Sequence, residues 1–261
     1  MEVLSFHYHL KIRFDSPIHD HQFTLRCCPV SDCRQRILQE QRFVFPKESL
    51  GESRDSFGNL CIYGYVTQPH SSFEANICGE AITGMAEAVP VGNPYQENLF
   101  LYQTNLTRPS DDMAAFCRDI PFQVGDRPLV QAEKIMEAVY RYMTYTQHVT
   151  DVNTSAAQAF TLGQGVCQDY AHIMISLLRL RGIKARYVVG MLMGEGLSHA
   201  WVEAEDNGLW YALDPTNFQM VTDQHIKISH GRDYQDCRIN QGLFYGPAHQ
   251  QQEISVIVQK K

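Results

Sequence analysis

The chain has 261 residues, 44% of them hydrophobic, with 22 basic against 29 acidic side chains for a formal net charge of −7. That length holds one large domain or two modest ones, and a composition near globular averages excludes disordered, collagen-like and low-complexity readings. The acidic balance argues against a general nucleic-acid or anionic-membrane binder, and the longest apolar stretch, around YVVGMLMG, is far short of the roughly 20 residues a spanning helix needs.

At the N-terminus Leu4, Phe6, Tyr8, Leu10, Ile12 and Phe14 alternate with Ser5, His7, His9, Lys11 and Arg13. This is strand patterning and not the unbroken apolar run of a secretory leader. The eight cysteines are therefore expected to be free thiols in a reducing cytoplasm. Cys27, Cys28 and Cys33 cluster without a paired C-x-x-C set, so no zinc site is expected, and His7 with His9 reads as part of a solvated strand face. Phe23, Leu25 and Cys27 alternate next. Asp55-Ser-Phe-Gly58-Asn59 marks a turn before LCIYGYV, and Phe73, Ala75 and Ile77 alternate after it. Residues 1–105 thus read as an antiparallel, sandwich-like β-domain.

From about residue 106 to 261 helices enter. Ser110 with Asp111 and Asp112 predicts a capped helix start, and a second helix is predicted from Leu129 to Met143 with Ile135, Met136, Val139, Tyr140 and Met143 inward. A loop with Gly163 and Gly165 leads into CQDYAHIMISLLRLRG, where Gly182 supplies the left-handed stop and Ile183 the contact after it. Strands follow as ARYVVGMLM, then SHAWVEAE and LWYALDP around the Asp206-Asn207-Gly208 turn, and Ile254, Val256 and Val258 suggest a closing edge strand.

The chemistry concentrates between Cys167 and Asp214. Cys167 falls in the first turn of its helix, where unpaired N–H groups and the positive dipole end favour a thiolate. Tyr170, Ala171, Met174 and Leu178 share its stripe, whereas His172 lies about 140° around the helix and is a poor base. Asp169 points away from the thiol and is expected to tie down backbone. His199 and Asp214 stand on the two arms of one hairpin, so a sheet packed on the helix start would bring His199 to Cys167 with Asp214 orienting the imidazole.

The run GQGVCQDYAHIMISLLRLRGIKARYVVG, then SHAWVEAE, then WYALDPTN, resembles the core of the transglutaminase-like superfamily in its bacterial cysteine-protease-like branch. The match covers roughly Ser155 to Asn217, and the strand-rich N-terminal part is similar to the β-domain that precedes this core. The resemblance implies an α+β fold with a papain/transglutaminase-like core, and carries Cys167 over as nucleophile, His199 as base and Asp214 as orienter. Trp201 is expected to pack near the imidazole, with the Cys167 N–H and the Gln164 side chain as candidate oxyanion donors. The expected reaction is acyl transfer through a thioester on a peptide or protein substrate, with no cofactor and no metal. Hydrolysis is favoured, as a cysteine protease or amidase. Transamidation and a non-catalytic scaffold on the same fold are the alternatives.

Overall fold

The computed structural model describes residues 1–92 and 97–261. Strands β1 (Glu2–Leu25), β2 (Arg36–Phe45), β3 (Ser49–Arg54), β4 (Leu60–Val66) and β5 (His70–Thr83) make curled antiparallel sheets. The alternation at Leu4–Phe14 and that at Phe23–Leu25 belong to one 24-residue strand. Its first half pairs with β5, from Glu2 opposite Thr83 to Arg13 opposite Ser72. The register then shifts between Arg13 and Ile18, Asp20 takes φ 49°, and His21–Leu25 pair instead with β4. Bulges of this kind bend a strand and increase its twist, which lets one strand serve two sheets. Leu4, Phe6, Tyr8, Leu10, Ile12 and Phe14 are buried. On the other face His7 pairs with Asn76 and His9 with Glu74, each across to β5.

The turn at Asp55 forms as the sequence suggests: its carboxylate accepts from the Phe57 and Asn59 N–H groups, and Gly58 takes the positive φ of 85° that its lack of a Cβ permits. β2 and β3 carry no comparable apolar alternation, being mostly exposed, and were not expected from the sequence.

β6 (Ala88–Pro90) leads to α1 (Asp111–Asp119), capped by the Ser110 hydroxyl, and α2 (Pro128–Tyr142), which opens on a proline at the first helical turn. Ile135, Met136, Val139 and Met143 are buried as expected, but Tyr140 is exposed and stacks on the Phe218 ring at 5.4 Å. β7 (Thr144–Tyr145) is followed by α3 (Ala156–Leu162), where a loop was expected. Ser155 and Gln158 form a capping box there, and Gly163 closes the helix at φ 64°. Then come β8 (Gln164–Gly165), α4 (Cys167–Leu180), β9 (Ala185–Leu192), β10 (Gly194–Gly196), β11 (His199–Asp206), β12 (Leu209–Asp214), β13 (Gln219–Met220), β14 (His225–Gly231), β15 (Asn240–Tyr245) and β16 (Gln250–Lys260). The second sheet runs β13-β12-β11-β9-β14, with β6 also on β12, and α4 packs against β11 and β9.

One buried guanidinium holds this half together. Arg179 donates to the Phe100, Ala185 and Arg232 carbonyls and to the Thr107 hydroxyl, so four chain segments share one side chain. Among the described residues no helix is long and apolar enough to cross a membrane.

The change of character near residue 105 marks where strands give way to helices, but the chain crosses that line in both directions. β16 pairs with β1 from Leu4 opposite Lys260 to Phe14 opposite Gln250, and β15 pairs with the other end of β1. The expected closing strand therefore sits inside the N-terminal sheet, between β1 and β10. In return, two amide side chains of the N-terminal part cover the bare edge of β14. Gln35 accepts from the Lys227 N–H and donates to its carbonyl, both at 2.8 Å. Asn59 does the same at His230, at 2.8 and 2.7 Å. Each amide stands in for a strand residue, satisfying backbone groups that an edge would leave open.

Candidate active site

The site begins with the start of α4. Its N-cap is Val166, which has no side-chain oxygen, so the cap is supplied from inside: Asp169 reaches back to accept from the Val166 N–H at 2.8 Å and from the Thr150 hydroxyl at 2.7 Å. Asp169 thus ties down backbone, as expected. Gly165 has to be glycine, because a Cβ there would overlap the Asp169 carboxyl group. Cys167 is the first helical residue and is half-buried, whereas Gln168 to Arg179 are all buried. A helix enclosed on all sides is a fixed platform for the thiol.

The hairpin carries the next two groups. Val202 faces Leu213 and Asp206 faces Leu209, with Asn207 and Gly208 both at positive φ in the turn. Continuing that register puts Asp214 opposite Trp201 and diagonal to His199, on the same face. His199 Nε2 and Asp214 Oδ2 are 2.7 Å apart. The other ring nitrogen is left for Cys167. Burial disfavours the charged imidazole, but hydrogen bonds with Asp214 and Cys167 outweigh it and raise His199 to about 10.

Asp214 is fully buried and surrounded by donors. Its Oδ1 accepts from the Thr216 and Asn217 N–H groups at 3.0 and 3.3 Å, and its Oδ2 from the Asn217 amide at 2.7 Å. His225 Nε2 stands 3.4 Å from the same Oδ2. Burial opposes ionisation, yet the hydrogen bonds from His199, His225 and Asn217 hold the carboxyl well below its usual range.

Trp201 packs beside the imidazole as expected, its ring 6.2 Å from that of His199 and edge-on to His225 at 5.4 Å. Gly190 makes room for it, since a Cβ there would overlap both the Trp201 ring and the Ile226 carbonyl. Gly190→Ala is therefore expected to displace Trp201 and destabilise the chain by about 1–3 kcal/mol through overpacking. Urea unfolding measures this, and a variant as stable as the parent would refute the close fit.

Gln164 lies in β8 opposite Thr144 and is exposed, separated from Cys167 by Gly165 and Val166. His172 is fully buried on the far side of α4, where its Nε2 accepts from the Tyr234 N–H at 3.2 Å, and burial lowers it to about 3.

Sequence reasoning did not find His225. It enters from β14, after a short polar segment without a periodic pattern. His199, Asp214 and His225 each offer a ligand atom within 4.8 Å of the others, as a metal site would. The proton positions argue otherwise. The Thr222 N–H donates to His225 Nδ1 at 3.3 Å, which places the ring proton on Nε2, facing Asp214. His225 is a donor there and not a ligand. The eight cysteines are free, with Cys33 exposed, Cys78 and Cys167 half-buried and the rest buried.

Residues 119–215, which enclose Cys167, His199 and Asp214, match the Transglutaminase-like superfamily, and residues 4–81 match the Bacterial transglutaminase-like N-terminal region. An uncharacterised protein of Mycobacterium tuberculosis is 28% identical over 251 residues, covering 83% of this chain and 79% of the relative. An uncharacterised protein of Mycobacterium leprae is 40% identical over 114 residues, covering 40% of each chain. Among solved structures, a candidate cysteine protease from Cytophaga hutchinsonii superposes with a TM-score of 0.82 at 22% identity, covering 99% of this chain and 90% of that one. The likeness extends over both halves, so the α+β fold is shared throughout.

Proposed function

Because this chain belongs to the transglutaminase-like superfamily, we propose that it is a thiol-dependent acyl-transfer enzyme that cleaves an amide or peptide bond through a Cys167 thioester. The observation that carries this reading is His199, held at 2.7 Å by the buried Asp214 carboxylate, with Cys167 at a helix start. His199 takes the thiol proton and the thiolate attacks the substrate carbonyl carbon. The tetrahedral oxyanion is met by the Cys167 N–H, one of the first-turn donors without a helical partner, and Gln164 is a second candidate donor. His199 then gives its proton to the leaving amine, and water attacks the thioester with His199 again as base.

The proposed substrates are peptide or protein amides. No cofactor enters any step, and the eight free thiols suit a reducing compartment such as the cytoplasm.

Intact-mass labelling with iodoacetamide at pH 6 tests the premise. Cys167 is expected to react at least about tenfold faster than exposed Cys33, and His199→Ala to abolish that preference. Equal rates at the two cysteines, or no effect of His199→Ala, would refute the catalytic reading. Turnover is then sought with a panel of acyl-donor peptides, with and without a labelled amine. Acid release exceeding amine incorporation supports hydrolysis, and the reverse overturns it in favour of cross-linking.

A further inference from the structure

The histidine behind the triad has a fixed proton and a fixed target. His225 is buried at the start of β14, with the Thr222 N–H on its Nδ1 and its Nε2 toward Asp214 Oδ2, the oxygen that also receives His199 Nε2 and the Asn217 amide. The Trp201 ring stands edge-on against it at 5.4 Å, and the His199 ring lies 6.0 Å away. Around the small cavity on its other side stand Asp32 and Arg34 from the N-terminal part, Glu203 from β11 and Lys227 from its own strand. Arg34 and His199 disfavour a charge on His225, Asp214 favours one, and burial prevails, so the ring stays neutral.

We propose that His225 is a positioning residue that shares Asp214 Oδ2 with His199 and so limits how tightly the carboxylate holds the His199 proton. The inference rests on the triad reading above. Three N–H groups on one oxygen draw on the same negative charge, and the positive end of the His225 N–H dipole also lies close to the imidazolium. Both effects disfavour the protonated form of His199. The consequence is catalytic, because His199 must surrender its proton to the leaving amine, and an imidazolium held too strongly is a poor acid.

The test is an NMR titration of the His199 ring in histidine-labelled full-length protein, assigned with His199→Ala. His225→Phe keeps a ring without the donor, and is expected to raise the His199 midpoint by about half a pH unit or more. His225→Gln, whose amide nitrogen can take the place of Nε2, is expected to leave it within about 0.2 unit. His225→Asn, polar but too short to reach Oδ2, is expected to follow His225→Phe and serves in its place should that variant not fold. Loss of packing alone would move stability and not this order of midpoints. An unchanged or lowered midpoint in His225→Phe or His225→Asn overturns the proposal. Iodoacetamide labelling of the same proteins separates the two readings: if His199→Ala leaves Cys167 labelling unchanged, the triad itself fails. If His199→Ala collapses labelling while the His225 variants leave the midpoint unmoved, only the role of His225 fails.

Discussion

Asp214→Asn is expected to lower the rate of acyl transfer about 10³–10⁴-fold, the scale of loss when an orienting carboxylate loses its charge. The donor pattern dictates this. Asp214 receives His199, His225 and the Asn217 amide on Oδ2, and two backbone N–H groups on Oδ1. An ionised carboxylate only accepts, whereas asparagine must turn its NH₂ group toward one of the two sets. The backbone donors cannot rearrange, so the amide oxygen takes the Oδ1 place and the NH₂ faces the histidines. His199 can then satisfy it only with a bare Nε2, which moves the ring proton to Nδ1, the nitrogen left to receive the Cys167 proton. The base is in place but in the wrong tautomer. Iodoacetamide labelling of Cys167 at pH 6, and turnover of whichever acyl donor the wild type accepts, measure the effect. A variant within tenfold of wild type on both would remove Asp214 from the mechanism.

The parts of this site legible in the sequence are those written by local chemistry. A helix start at Cys167 and a turn at Asn207-Gly208 follow from short-range rules, and once both are drawn the His199 and Asp214 arms have one arrangement. The His-x-Trp spacing likewise puts Trp201 on the face of His199. His225 was beyond reach for the opposite reason: its partner is created by sheet order, with β14 joined to β9 on the side away from β12. The same holds for Gln35 and Asn59, whose pairing with Lys227 and His230 spans 192 and 171 residues. Long-range register also explains β16, whose alternation announced a strand without announcing a place beside β1. α3 is a different case. Its Ser155–Gln158 capping box was present in the sequence, but a seven-residue helix gives too few periodic positions to stand out from a loop.

Mild acid is expected to unfold this protein, because it keeps imidazoles neutral that water would protonate. Burial lowers His172 to about 3 and His21 to about 4, and also lowers His225 and His230. In the unfolded chain each titrates near 6.5. Below that pH the unfolded state binds protons that the folded state refuses, so stability falls as the pH falls toward the folded values. For His172 alone the loss between pH 6.5 and pH 5 is about 2 kcal/mol, and the other three add in the same direction. Glu203, lowered to about 2 against burial by Arg186 and Lys227, contributes stability above the unfolded carboxylate value and loses it only at still lower pH. His199 acts on the other limb: raised to about 10, its contribution is complete below pH 6.5 and fades as the pH climbs toward that value. Stability is thus expected to peak near neutrality and to fall most steeply between pH 6.5 and pH 4. Urea unfolding across pH 4.5–8 measures the slope, and a flat profile from pH 7 to pH 5 would contradict it. His172→Phe isolates one contribution. It strips the Tyr234 N–H of its acceptor and so costs stability at pH 7.5, yet its acid slope should be shallower by one proton, about 1.4 kcal/mol per pH unit at most. A variant weaker at neutrality but less sensitive to acid is an outcome that lost packing by itself does not produce.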